Sequence, residues 1–165
     1  MGLLQEYELL RKIAMFADIE PGKLKLLAFM SERVAFDAGK ALCRQGDPAD
    51  AAYLILEGEA DIIVDTPTGP ITVATLGAND IVGEMAILCD VPRTATVQAK
   101  ERLVVLRIAK DSFMRMVREF PNMAVSIMRE LAHRLELTNN QLRTATSEVR
   151  RLQAANGHSG AAAAE

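Results

Sequence analysis

Residues 51–82 read AAYLILEGEADIIVDTPTGPITVATLGANDIV, and this stretch decides the fold class. Runs rich in Val, Ile, Leu and Tyr alternate here with turn-forming residues, of which Gly58 and residues 67–70 are the clearest. Such runs bounded by Gly and Pro are typical of short β-strands. Two further runs of the same kind follow at 94–99 and 103–108. Strands at this regular spacing predict an antiparallel β-roll, a jelly-roll-like double-stranded β-helix.

Helical patterns flank the predicted roll on both sides. Before it, residues 3–33 carry apolar side chains at helical spacing, and Pro21 opens a second short helix. After it, residues 111–119 predict a short helix with Asp111 or Ser112 as its N-cap. The fold class is therefore α+β, with N-terminal helices, a β-roll and a long C-terminal helix.

The long helix is predicted over residues 121–153 because an apolar position recurs at alternating spacings of four and three. The seam consists of Ala124, Met128, Leu131, Leu135, Thr138, Leu142, Ala145, Val149 and Leu152. A heptad seam of this kind is typical of helices that pair with another helix. At about 1.5 Å per residue the helix is about 50 Å long, which exceeds what the roll can cover. We expect a homodimer through this helix; the alternative is that the whole stripe packs on its own domain.

Composition and charge favour a soluble, cytoplasmic protein with reduced thiols. Half of the 165 residues are hydrophobic, and 19 basic against 22 acidic residues give a net charge of −3. This balance provides no general attraction to nucleic acid or to an anionic membrane. The N-terminus lacks a signal sequence, and no apolar stretch approaches the roughly 20 residues of a membrane span. Two cysteines without a Cys-x-x-Cys motif exclude a disulfide scaffold.

Residues 83–97, GEMAILCDVPRTATV, contain the side chains with binding chemistry. Gly83 permits close backbone approach, and one helical turn over residues 84–88 would expose free amide groups to an anion. Arg93 is suited to grip two phosphate oxygens, and the Glu84 carboxylate is suited to accept from a sugar hydroxyl. The pattern indicates a phosphorylated ribose; the alternative is that Glu84 and Arg93 pair with each other beneath a loop.

The same stretch resembles the phosphate-binding cassette of cyclic nucleotide-binding domains. That cassette has the pattern Gly-Glu-x-x-hydrophobic-Leu, a short spacer, and Pro-Arg-small-Ala-Thr-Val, and every element matches from Gly83 to Val97. The flanking sequences GDPAD at 46–50 and LGAND at 76–80 extend the resemblance to roughly residues 10–153. Two departures are Val82, where an aromatic residue is common, and Asn79, where glycine is common.

The resemblance implies roles for individual residues. Glu84 would accept from the ribose 2′-hydroxyl, Arg93 would bind the cyclic phosphate, and nearby backbone amides would complete the pocket. The implied ligand-binding residues are Val82, Gly83, Glu84, Met85, Ala86, Arg93, Thr94, Ala95, Thr138 and Asn139.

Residues 133–139, HRLELTN, resemble the dimer helix of the catabolite activator protein family. The resemblance implies that Thr138 touches the purine of its own subunit's ligand and that Asn139 reaches in from the partner. The alternative for Thr138 is a hydroxyl bonded back to its own helix. Thr94 resembles the residue found in family members that favour guanine. Thr138 resembles the residue that contacts adenine. The resemblance of Thr138 favours cyclic AMP, and cyclic GMP is the alternative.

The predicted organisation is a cyclic nucleotide-binding domain over residues 1–120, a coiled-coil-like helix over 121–153 and a disordered Ala-, Gly- and Ser-rich tail over 154–165. The implied function is that of a dimeric sensor that transmits ligand binding through its C-terminal helices to an unidentified protein. The alternative is an interaction module with a vestigial nucleotide pocket. Because little sequence follows the dimer helix, we expect no helix-turn-helix and no direct DNA binding.

The sequence does not favour an enzyme, a metal site or a cofactor. β-Rolls also resemble cupins, whose metal sites need clustered histidines, and this chain has only His133 and His158. His133 is expected to be a solvated surface residue. Neither Cys43 nor Cys89 has a histidine within the roll that could activate its thiol. The expected ligand is a cyclic nucleotide alone.

Overall fold

A computed structural model describes residues 2–13 and 16–161, with side chains through residue 157. The helices are α1 (Leu3–Arg11), α2 (Pro21–Met30), α3 (Glu84–Leu88), α4 (Lys110–Glu119) and α5 (Pro121–Ala161). The strands are β1 (Ser31–Phe36), β2 (Ala41–Cys43), β3 (Ala51–Glu57), β4 (Ala60–Thr66), β5 (Gly69–Leu76), β6 (Ile81–Val82), β7 (Thr96–Ala99) and β8 (Leu103–Ala109). The chain divides into two compact units, Met1–Ala124 and Val125–Glu165.

The first unit is built on two four-stranded antiparallel sheets. Their strand orders are β1-β8-β3-β6 and β2-β7-β4-β5. The side chains between them form one core, to which both sheets contribute: Ala51, Tyr53, Ile55, Ala60, Val82, Val97, Ala99, Leu103 and Val105. Since alternate residues of a strand face the same side, this pattern defines the inner face of the roll. The predicted α+β fold class, with its antiparallel roll, N-terminal helices and long C-terminal helix, is confirmed.

Several boundaries differ from the sequence-based expectation. β1 begins at Ser31, inside the stretch predicted to be helical, and the two- and three-residue strands β6 and β2 were not predicted. The N-cap of α4 is Ala109, without a side-chain hydrogen bond, so the predicted caps Asp111 and Ser112 are wrong. The physical reason is the end of β8: the Lys110 amide donates to the Asp50 carbonyl at 2.8 Å, and the helix begins directly there.

The second unit is the body of α5, a helix of 41 residues that runs to Ala161. The prediction of a disordered tail is therefore wrong for residues 154–161, because extending an existing helix avoids the cost of nucleation, even with Gly157 and Gly160 in the segment. Residues 162–165 of that tail lie outside the described residues. In the parts of the chain described here, no helix combines the length and apolar character needed to cross a membrane.

Most of the seam predicted on α5 is exposed to solvent, although Ala124 and Leu131 are half-buried. Exposed fractions are 59% for Met128, 61% for Leu135, 63% for Leu142 and 52% for Val149. Exposed leucines at this density are unusual on a soluble surface. Predicted as a surface residue, His133 is indeed exposed.

Candidate functional site

The candidate site begins at the turn between β6 and α3. Gly83 adopts the left-handed conformation, with φ +83° and ψ −1°, and forms the N-cap of α3. A Cβ at this position would lie 2.6 Å from Arg93 Nη1 and 3.2 Å from the Ala51 carbonyl oxygen. Glycine is therefore required twice, by the backbone conformation and by the close approach of the arginine.

Arg93 is buried, with 3% of its surface exposed. Its Nη1 donates to the Gly83 carbonyl at 3.0 Å, and its Nη2 donates to the Ala51 carbonyl at 2.6 Å and to Asp50 Oδ1 at 3.1 Å. Its Nε is buried and has no hydrogen-bond partner. A buried polar group is normally hydrogen-bonded, so the Arg93 Nε–H is a donor whose capacity is unused within the described residues.

The backbone of Arg93 is also fixed by a distant loop. Its amide donates to the Asp47 carbonyl, and its carbonyl accepts from the Gly46 amide, both at 2.8 Å. The guanidinium carbon lies 5.8 Å from the centroid of the Tyr53 ring, within the range of a cation–π contact. The loop that carries Gly46 and Asp47 therefore holds the backbone of Arg93, and β3 holds its side chain.

Asp50 joins Arg93 to a second arginine. Its Oδ2 accepts from Arg107 Nη2 at 3.0 Å. Burial alone would raise the pKa of Asp50, but the hydrogen bonds from Arg107 and Arg93 outweigh it and hold the pKa below its usual value. The hydrogen bond to Asp50 in turn raises the pKa of Arg107, against the effect of its own burial. The site therefore holds a charge-paired Arg–Asp–Arg group.

Glu84 is the first residue of α3 and is 1% exposed. A carboxylate is costly to bury and, where it is kept, serves as a strong acceptor. Arg93, the other buried charged residue of the segment, donates to Asp50 and to two backbone carbonyls. The segment 83–97 thus contains two buried charged side chains, Glu84 and Arg93.

The predicted site residues fall into three groups. Val82, Glu84, Ala86 and Arg93 are buried, Gly83 and Ala95 are half-buried, and Met85 and Thr94 are exposed. Thr138 and Asn139 lie on α5 in the second unit and are exposed. There the Thr138 hydroxyl donates to the Arg134 carbonyl at 2.8 Å, the helix-internal bond considered as the alternative.

Three residues of the site were not predicted as such: Asp50, Tyr53 and Arg107. Asp50 belongs to the GDPAD segment, but its link to Arg93 spans 43 positions in sequence. Arg107 had a usable signal, since it interrupts the apolar run of β8. A charge at such a position is rare unless it is paired.

The described residues, 2–13 and 16–161, contain no group of three or more His, Cys, Asp and Glu side chains placed to hold a metal ion. Cys43 is half-buried and Cys89 exposed, and both are free thiols.

Comparisons with known proteins show the family to which the chain belongs. The sequence profile described as "Cyclic nucleotide-binding domain" matches residues 33–120, more than half of the chain. A cAMP-dependent protein kinase regulatory subunit of Emericella nidulans is 32% identical over 108 residues, which cover 66% of this chain and 26% of that protein. A CRP-like cAMP-activated global transcriptional regulator of Mycobacterium tuberculosis is 28% identical over 136 residues, covering 82% of this chain and 61% of that protein.

Among solved structures, the catabolite activator protein of Thermus thermophilus matches with a TM-score of 0.70 and 26% identity, over 80% of this chain and 62% of that one. The chain thus spans less than two thirds of the length of these relatives. The residues matched by the family profile, 33–120, include the cassette at 83–97 and Arg93. The chain belongs to the cyclic nucleotide-binding domain family.

Proposed function

We propose that this protein is a regulatory sensor that binds a cyclic nucleotide through residues 82–95. The observation that carries the proposal is the buried Arg93, whose Nε lacks a partner. A phosphate oxygen is the acceptor that a guanidinium binds best, and a cyclic phosphate offers two such oxygens with a single negative charge.

Glu84 supplies the second part of the recognition. In the proposed complex its carboxylate accepts from the ribose 2′-hydroxyl, while backbone groups of Gly83, Thr94 and Ala95 complete the contacts. Val82 and Ala86 flank Glu84 in sequence and are buried. Met85 is 50% exposed and is available to cover the ligand.

For the purine we propose adenine, with Thr138 as a contact and Asn139 as a contact from the partner subunit. The Thr138 hydroxyl already uses its hydrogen on the Arg134 carbonyl, so its lone pairs remain for a donor. The exocyclic amine of adenine is such a donor, whereas guanine has a carbonyl at the same ring position. Thr94 is the residue that favours cyclic GMP.

We further propose that α5 pairs with its counterpart in a homodimer. The exposure of Met128, Leu135 and Leu142 at heptad spacing supports this, because burial of such a seam is what stabilises paired helices. A ligand that binds one arrangement of the helices better than another shifts the population towards it, and the dimer helix passes that shift to an unidentified partner protein.

The test is a titration of the purified protein with cyclic AMP, cyclic GMP and 5′-AMP, followed by calorimetry and thermal unfolding. A ligand at one hundred times its dissociation constant stabilises the fold by about 2.7 kcal/mol. We expect the largest effect from cyclic AMP and little from 5′-AMP, whose phosphate is an open dianion. No effect from either cyclic nucleotide would contradict the proposal and favour a vestigial pocket.

A further inference from the structure

The Asp50 carboxylate is divided between two arginines. Oδ1 lies 3.1 Å from Arg93 Nη2, and Oδ2 lies 3.0 Å from Arg107 Nη2. The side chain of Arg93 is 2% exposed, that of Arg107 is 32% exposed and that of Asp50 is 61% exposed. The carboxylate is thus the exposed member of the group and is able to leave Arg93 without leaving Arg107.

Arg107 originates on the inner face of the roll. It lies directly opposite Tyr53 in the antiparallel pairing of β8 with β3, and opposite residues share one face of a sheet. Along β8, Leu103 and Val105 belong to the core, and Arg107 is the next position on the same side. Arg107, at the end of this apolar inward row, therefore shares the inner face of the sheet with Tyr53.

A phosphate that accepts from the free Nε of Arg93 and also from Nη2 competes with Asp50 for the Nη2 hydrogen. When a phosphate takes the donors of Arg93, a carboxylate bound only to Arg93 would be left beside a like charge and without a partner. Arg107 prevents this, because it keeps Oδ2 hydrogen-bonded while Oδ1 is given up. Arg93 stays in place during the exchange, since the carbonyls of Gly83 and Ala51 still accept from it.

We propose that Arg107 is a positioning residue of the phosphate site, which holds the Asp50 carboxylate and so frees Arg93 for the ligand. This inference rests on the proposed function. It assigns to Arg107 no contact with the nucleotide; its effect on affinity passes through Asp50.

The test is a double-mutant cycle with wild type, Arg107→Met, Asp50→Asn and the double variant, with calorimetric affinities for cyclic AMP. We expect Arg107→Met to weaken binding about tenfold, a coupling of the size found between contacting residues. In the Asp50→Asn background, Arg107→Met should change the affinity for cyclic AMP less than about twofold, because the competing carboxylate is gone. Arg107→Lys should restore most of the affinity, since an ammonium also holds Asp50.

A second readout separates positioning from a structural role. For an uncharged methyl ester of cyclic AMP, Arg107→Met should change the affinity little, because the ester does not repel Asp50. A loss for the charged and the uncharged ligand alike would indicate damage to the fold and contradict the proposal. Arg115→Met, which breaks a surface pair with Glu119 on α4, is the control and should bind as wild type does.

The outcomes are distinguishable from failure of the proposed function. If the wild type binds no cyclic nucleotide, the function itself is wrong. If the wild type binds and Arg107→Met binds equally well, only the role of Arg107 is wrong. If Arg107→Met lowers the affinity equally in the wild type and in Asp50→Asn, the role of Arg107 is also wrong, since Arg107 would then act on the ligand directly. Thermal unfolding of each ligand-free variant establishes that it is folded, and Arg107→Gln replaces Arg107→Met if the latter is not.

Discussion

The Gly83 carbonyl accepts a hydrogen bond from Arg93 Nη1 at 3.0 Å, and the Gly83 Cα lies so near the guanidinium that a Cβ would stand 2.6 Å from the same nitrogen. The backbone of the turn and the buried cation therefore define each other's positions. A change at either residue displaces the other, which makes the pair a sensitive place to test the site.

Gly83→Ala should lower both stability and ligand affinity. The positive φ costs a non-glycine residue about 1–2 kcal/mol, and the new methyl group must push the Arg93 guanidinium aside. Gly39→Ala is a matched control, because Gly39 has φ +81° and nothing within 4 Å of its would-be Cβ. Urea unfolding should show a loss for both variants, and calorimetry a loss of affinity for Gly83→Ala alone. Equal affinity of the two variants would contradict the role assigned to the Gly83–Arg93 contact.

Arg93→Ala should cost roughly 2–5 kcal/mol of binding free energy, the range for removing one partner of a buried charged pair. Arg93→Lys should recover only part of the loss, because lysine offers neither the planar fork nor the Nε donor. Calorimetric titration with cyclic AMP measures both variants. Unchanged affinity in Arg93→Ala would remove this residue from the phosphate site.

The Asp50 group should make stability depend on acidity. Because the folded pKa of Asp50 lies below the ordinary 3.8, its contribution is present above that value and is lost as the pH falls below it. The carboxylate is 61% exposed and screened by solvent, so the loss is at most about 1 kcal/mol. Urea unfolding between about pH 5 and pH 3 should show a shallower dependence for Asp50→Asn than for wild type. Identical slopes would show that the two arginine contacts do not persist in solution.

Leu142→Asp should shift the protein towards monomer, because it places a charge on the seam proposed to pair two copies of α5. Leu137→Asp is the control: Leu137 is also a leucine of the same helix, 50% exposed, but it lies off the seam. Sedimentation velocity of the full chain at several concentrations measures the effect. A dimer that tolerates Leu142→Asp as well as it tolerates Leu137→Asp would exclude the seam as the interface.

The parts of the site that could be predicted are those that lie together in sequence. Glu84 and Arg93 belong to one short segment, so the pattern of residue types alone brought them into one hypothesis. Asp50 and Arg107 are separated from each other by 57 positions, and the pairing of β3 with β8 is what brings them together. The register between two strands that are distant in sequence cannot be deduced from a local pattern of residue types.

The same distinction holds for the fold. The strands β3, β4 and β5 have long apolar runs between turn residues and were predicted, whereas β6 has two residues and is set by its pairing with Tyr53 and Leu54. The extension of α5 through residues 154–161 continues a helix that is already formed, which costs less than nucleating a new one. Compositional bias was in this case a poor guide to order.

Two backbone hydrogen bonds join Arg93 to the loop of Gly46 and Asp47, and they affect the entropy cost of ligand binding. They fix the arginine without any nucleotide, so the site is preorganised and little chain entropy is lost when a phosphate arrives. We therefore expect cyclic nucleotides to differ mainly in their dissociation rates from this site.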